Sequence, residues 1–334
     1  MLFYLMHKND KIALLNVRIG YDAFSITEVR EIYNKKMMPL ITYKKRYSKS
    51  LEICGDLIDW YRSRYFDVDR ENFWAVSNQL SMNYNNRATD IMYAVSFFTY
   101  GSSMLDSYWF NPVETLTIDF GEYIPKLTLN PTTWEYVDFR NKNWSDEVGN
   151  MFEDSIMLNP YDFKPIRYVN LDSPDIALSG HYTKRWVIIN NELYIKKIYP
   201  NTEKGIQLCE DQIKRAQYIK NINPELYIEY IQDDKNKNIC YCKNFLKENE
   251  EFISPFCVLM WNIKGANEDN GVEVIQKNAI KLGCNKKLIK EYNAAIKAVN
   301  EYFNIDKNDL NNMGFIIDVK TNKIIKPAPI YGGM

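Results

Sequence analysis

Apolar side chains recur at helical spacing in some stretches of the chain and alternate with polar ones in others, which predicts a mixed protein of helices and short strands. Leu51, Ile53/Cys54, Leu57/Ile58 and Tyr61 fall on one face of a helix. Asp69-Arg70-Glu71-Asn72-Phe73 opens a second, continued by Trp74, Val76 and Leu80. Together they predict a mainly helical accessory region over residues 1–85. Residues 86–165 are rich in aromatics and Pro/Asn turns: Tyr108-Trp109-Phe110-Asn111-Pro112, Asn130-Pro131, Trp134, Trp144 and Asn159-Pro160. Such a segment is expected to wrap over another domain through its rings.

The remaining residues, 166–334, alternate more clearly between the two periods. Trp186-Val187-Ile188-Ile189 and Leu193-Tyr194-Ile195-Lys196-Lys197-Ile198 flank Asn190-Asn191. Paired Asn tolerates the positive φ of a tight turn, so a β-hairpin is predicted. Ile206, Cys209, Ile213 and Ala216 place one apolar stripe on a helix. Tyr227–Gln232 and Ile239–Lys243 read as a second hairpin across residues 233–237. Val272, Ile275, Ala279 and Leu282 give a helix that breaks near Gly283. Leu288, Tyr292, Ala295, Val299 and Tyr302 make the strongest helical stripe. A polar loop over 306–312 then leads to a last hairpin, Phe315–Val319 and Ile324–Lys326.

Bulk composition narrows the class only a little. The 334 residues are 46% hydrophobic and 25% charged, enough for two or three domains with a sizeable core. With 42 Lys+Arg against 43 Asp+Glu, net charge gives no sign of a polyanion partner. The densest basic stretch, Lys35-Lys36 through Lys44-Lys45-Arg46, reads as a solvated face, with a nucleic-acid contact as the alternative. Six cysteines and two histidines offer no metal-site spacing. Cys240 and Cys242 share a strand face, and buried, reduced thiols are expected. Met1–Met6 is too short for a signal-peptide core, and no apolar run approaches the ~20 residues of a membrane span. A cytoplasmic protein is expected.

Several residues offer chemistry suited to phosphate and metal. Ser179-Gly180-His181-Tyr182-Thr183-Lys184 combines a permissive Gly with a cation before the first hairpin. Lys196 lies between apolar Tyr194 and Ile198 on one strand face, which fits either an edge-strand lysine or a functional cation. Glu210 sits at the edge of the next helical stripe, and Asp306-Lys307-Asn308-Asp309-Leu310-Asn311-Asn312 is rich in hard oxygen ligands.

In order along the chain, these pieces resemble the HipA-like serine/threonine kinase family in its clostridial form. The matching segments are Leu105–Trp109, Thr133–Phe139 with Trp144–Gly149, and Ser173-Pro174-Asp175 through Gly180, Lys184 and Trp186. Further matches are Leu193–Lys196, Cys242–Phe245 with Glu250/Glu251, and Leu310–Phe315 followed by Ala328–Tyr331. The resemblance implies an α+β fold, with a protein-kinase-like small lobe and an incomplete helical large lobe behind the helical N-terminal region. It implies ATP and Mg²⁺ as cofactors. Gly180 and Lys184 would lie in the phosphate loop, Lys196 would be the nucleotide lysine with Glu210 its helix partner, and Asn312 would bind metal. The family's loop is of Asp-Arg-His-Leu-Asn-Asn type, whereas Lys307-Asn308-Asp309 precede Leu310 here, leaving Asp309 or Asp306 as a displaced catalytic Asp. After Ala328-Pro329-Ile330-Tyr331, where relatives carry Asp-Asn, stand Gly332-Gly333, so the kinase domain is expected to be cut short at its metal motif. The expected function is a HipA-like kinase homologue with severely impaired phosphoryl transfer. The alternative is a non-catalytic pseudokinase that binds a protein partner or DNA in a toxin–antitoxin or recombination-related setting.

Overall fold

The computed structural model describes residues 1–20, 23–42, 50–62, 100–103, 106–118, 127–134, 182–190, 192–262, 270–305 and 314–328. The chain divides into two compact units, Met1–His181 and Tyr182–Met334. Among the described residues they contain small antiparallel sheets and five α-helices.

The first unit opens on strands. β1 (Leu2–His7), β2 (Asp10–Gly20) and β3 (Ala23–Ile32) form an antiparallel meander, and β4 (Tyr108–Pro112) adds beside β1 to give the order β3-β2-β1-β4. The expectation of a mainly helical region over 1–85 is therefore corrected for its first 32 residues. The physical reason is a period of two: Phe3 and Leu5, then Leu15, Val17 and Ile19, then Phe24 and Ile26 all bury on the core side. Local irregularities in register between β2 and β3 and within β1 blur that alternation in the sequence. Lys8, with φ +52°, makes the tight β1–β2 turn.

Helix α1 (Ser50–Arg62) forms where the first apolar stripe predicted it, burying Cys54, Leu57, Trp60 and Tyr61. Its aromatics meet the sheet in one tilted and two edge-to-face contacts. Tyr61 lies 4.4 Å from Phe24 and 5.3 Å from Phe110 by ring centroids, and Trp60 lies 5.3 Å from Tyr108. The Tyr108-Trp109-Phe110 run is thus a buried strand of this sheet, a correction to its expected role as a wrapping segment. Its polar handles are satisfied: Trp109 Nε1 donates to Lys8 O at 2.8 Å and Tyr108 Oη to Met37 O at 2.9 Å. Pro112 ends an edge strand, where a missing N–H costs no ladder bond. A two-stranded ribbon, β5 (Leu116–Ile118) with β6 (Leu127–Leu129), completes the described part of this unit. Lys35 and Lys36 are exposed; the rest of the basic stretch, the helix expected over 69–80 and Trp144 lie outside the described residues.

The second unit follows the predicted order of elements. β7 (Thr183–Ile189) and β8 (Glu192–Ile198) pair antiparallel, and Asn190 directly after β7 adopts φ +52°. Helix α2 (Glu203–Ile222) starts at Thr202, whose hydroxyl accepts from Gly205 N at 3.2 Å. β9 (Tyr230–Gln232) and β10 (Ile239–Lys243) complete a sheet in the order β7-β8-β10-β9. The β9–β10 turn is organised by Asp233, whose carboxylate is held below its usual range by the Asn236 amide and the Tyr241 hydroxyl. β11 (Glu250–Ile253) then pairs with β12 (Phe315–Asp318), itself hairpinned to β13 (Lys323–Pro327). At that turn Asp318 accepts from the Thr321 hydroxyl and amide, both at 2.7 Å.

Between these strands lie α3 (Pro255–Trp261), α4 (Gly271–Lys281) and α5 (Lys286–Phe303). Buried Asn278 of α4 donates to the carbonyls of Val258 and Asn262 at 2.9 and 3.0 Å, satisfying the open end of α3. Helix α4 ends beside Gly283 at φ +117°, the break the sequence predicts. Helix α5 buries Ile289, Tyr292, Ala295 and Val299 and closes on Asn304 in the left-handed region. No helix among the described residues is long and apolar enough to cross a membrane.

Two glycines of the first unit give opposite expectations. A Cβ on Gly101, already at φ +66°, would collide with the Phe110 ring, so Gly101→Ala should cost about 2 kcal/mol or more in urea unfolding. Gly55, mid-helix in α1 with open space around it, should gain about 0.5–1 kcal/mol as Gly55→Ala in the same measurement. A Gly101→Ala chain as stable as the native one would contradict this packing.

Candidate functional site

Strand β8 carries Lys196 and Lys197 side by side, so the pleat sends them to opposite faces of the sheet. Lys196 lies in register between Arg185 of β7 and Tyr241 of β10 and is half-buried. Lys197 lies between Lys184 and Cys240 and is only 4% exposed. Its face is the one against which α2 packs, because its ammonium interacts with Cys209 of that helix as well as with Cys240 and Cys242 of β10.

The pocket around Lys197 holds thiols and phenols. Its Nζ reaches Tyr230 Oη at 3.5 Å, and the Tyr230 ring centroid is 5.4 Å away. Tyr230 stands opposite Cys242 in the β9–β10 pairing. Burial pushes the ammonium below its ordinary pKa of 10.5, with the neighbouring thiols opposing that shift. Burial also drives the Tyr230 phenol well above its ordinary value. The neighbouring Cys209 and its own burial together push the Cys240 thiol above its ordinary value. All six cysteines of the chain are buried, as the sequence predicts.

The expected partnership of Lys196 with Glu210 is corrected. Glu210 lies 3.5 Å from Lys214, one turn further along α2, and its side chain is 41% exposed. Among the described residues Glu210 makes no ion pair with Lys196. The reason is the pleat: the helix lies over the face of Lys197, so a carboxylate on α2 does not meet the neighbouring lysine. Lys184, expected in a phosphate loop, is the second residue of strand β7. Gly180, Asp306, Asp309 and Asn312 lie outside the described residues. Among the described residues no cluster of three or more His, Cys, Asp or Glu is arranged to hold a metal ion, so no Mg²⁺ ligand set is found there. Sequence reasoning missed Lys197 as the enclosed lysine. The available signal was Cys-x-Cys on β10, whose shared face also receives the residue opposite Cys240.

No protein-family model matches the chain, and no curated protein matches it. Among solved structures, the crystal structure of a Helicobacter pylori proinflammatory kinase, CtkA, is similar at 17% identity and a TM-score of 0.37. The match covers 48% of this chain and 57% of that one, so a little over half the length of that kinase is spanned.

Lys197 has a stability consequence of definite sign. Its folded pKa lies below the unfolded value of 10.5, so the folded chain binds the proton less readily. The resulting cost is present in full below the folded pKa and fades as pH rises towards the unfolded one. Lys197→Met, which keeps the stem and removes the charge, should therefore be more stable than the native chain at about pH 7, by on the order of 1 kcal/mol or more. The gap should narrow towards about pH 10, as read by paired urea titrations. A variant less stable at neutral pH would mean that the ammonium is stabilised where it sits.

Proposed function

We propose that the chain is a HipA-like kinase homologue that binds ATP weakly, transfers phosphoryl groups very inefficiently, and acts through contact with a protein partner. The reading is supported by the order of described elements in the second unit: lysine-bearing hairpin, helix, second hairpin, a further strand, three helices and final hairpin. Of the segments that resemble the family, Lys184 and Trp186 fall on β7, Leu193–Lys196 on β8, Cys242 and Lys243 on β10 and Glu250/Glu251 on β11, in chain order.

The observation that carries the impaired-transfer reading is the lysine–helix contact. Kinase chemistry uses a strand lysine aimed at the nucleotide phosphates by a helix carboxylate. Here the lysine facing α2 meets Cys209, Cys240, Cys242 and Tyr230, while Glu210 turns to Lys214. Removing that charge pair forfeits electrostatic stabilisation worth several kcal/mol in a phosphoryl-transfer transition state. Gly332, standing where the resemblance puts a metal-binding Asp, acts in the same direction. Lys197 is sealed in the core, whereas Lys196 on the opposite face is half-buried and is the strand lysine we assign to phosphate. Bound ATP would supply the phosphoryl group and Mg²⁺ would offset the charge on its oxygens; Asn312, with Asp306 or Asp309, would hold the metal.

Thermal denaturation with ATP and Mg²⁺ tests the binding half. A ligand at about 100 times its Kd stabilises the folded form by roughly 2.7 kcal/mol, so the melting temperature should rise, and Lys196→Ala should remove most of the rise. Phosphate incorporation into the chain or into a generic protein substrate should stay at background. Robust Mg²⁺-dependent transfer that Lys196→Met abolishes would overturn the impaired-kinase reading, and no shift with ATP would remove the nucleotide from it.

A further inference from the structure

We propose that Arg185 and Lys196 together form an anion site for a di- or triphosphate group, on the face of the β7-β8-β10-β9 sheet that points away from α2. The inference rests on the reading that Lys196 meets phosphate, and it adds Arg185 as the second cation.

The pairing register brings the two together. Arg185 of β7 stands directly opposite Lys196 of β8. Residues directly opposite in an antiparallel pair share a face, with Cβ atoms about 4.5–5.5 Å apart. The adjacent rung of the ladder repeats the sign, since Lys184 stands opposite Lys197. Two successive rungs therefore carry four cations, two on each face. Like charges directly opposite destabilise a sheet, so each rung is improved by an anion. Lys197 is enclosed, at 4% exposure, whereas Lys196 is half-buried. Of the two rungs, the one holding Lys196 is thus where a solute meets a cation.

The nearby carboxylates of the sheet are engaged elsewhere. Glu192, on the same face of β8 as Lys196, holds Lys243 at 2.8 Å and accepts from the Tyr194 hydroxyl at 3.1 Å. Glu229 acts on the same Lys243. Asp233 accepts from the Tyr241 hydroxyl at 2.8 Å and the Asn236 amide at 2.7 Å. None of the three pairs with Lys196, which makes no ion pair among the described residues.

Charge and shape then define the ligand. Two cations about 5 Å apart match an anion with two or more charges, and a single carboxylate would leave one cation over. A guanidinium holds two phosphate oxygens in a planar fork, while an ammonium acts as a point charge on the next phosphoryl group. Tyr241 flanks Lys196 on its other side with its hydroxyl already given to Asp233. The donors to phosphate therefore come from β7 and β8.

The test is isothermal titration calorimetry of the folded full chain with tripolyphosphate, and separately with ATP and Mg²⁺. Tripolyphosphate should bind the native chain, and Arg185→Leu should weaken it about tenfold. Arg185→Glu, which turns the rung into an ion pair, should abolish binding. Its urea midpoint should equal or exceed that of the native chain, which separates lost binding from lost folding. Lys237→Ala, an equal loss of charge in the β9–β10 turn, should leave the affinity nearly unchanged. The inference is overturned by a native chain that does not bind tripolyphosphate, by affinity untouched in Arg185→Glu, by a lowered midpoint in that variant, or by an equal loss in Lys237→Ala. If ATP still binds in any of those cases and Lys196→Ala weakens it, the nucleotide reading survives. Binding of tripolyphosphate through Arg185 without binding of ATP would remove the nucleotide reading and keep this site. Silence from both anions would remove both.

Discussion

A pleated strand buries alternate side chains, and β8 presents two lysines in a row. Lys197, paired with buried Cys240, is the one that is enclosed, at 4% exposure. Nearly everything specific about the second unit follows from that choice. The cation lands among Cys209, Cys240, Cys242 and Tyr230, and Lys196 is turned to the other face. Had the strand slipped by one residue, every side chain of β8 would have changed sides.

Among the described residues no carboxylate pairs with the enclosed ammonium, and such burial is expensive, since it takes away hydration and returns only weak interactions. The Tyr230 oxygen at 3.5 Å and the polarisable thiols supply part of what water gave. The neighbouring thiols also oppose the fall in the ammonium's pKa that burial causes. Structure and chemistry in this layer are therefore set by one charge placed where apolar packing alone would have sufficed.

The first unit rests on a different principle. Its sheet and α1 are joined by rings meeting edge to face, Tyr61 on Phe110 and Trp60 on Tyr108. Tyr108 and Trp109 also carry a hydrogen-bonding end that finds a backbone carbonyl, which lets large side chains bury completely without an orphaned donor. Gly101 is part of the same packing, because its missing Cβ leaves the room that the Phe110 ring occupies.

Local patterns were enough to determine α1, α2, α4, α5 and the three hairpins of the second unit. Helical stripes, the Asn190 turn and the Gly283 break act within a few residues, and the tertiary structure had only to accept them. The strands over 2–32 were less legible because irregular register interrupts their alternation, and the aromatic run at 108–110 gave no sign of which sheet it would join. The pairing of Lys196 with Glu210 was misread for the same reason. Strand alternation separates Lys196 from Lys197 in the sequence alone, but which of the two meets the helix depends on the side from which α2 packs. That is a contact between segments distant in sequence, decided by burial of the whole layer, and no local period encodes it.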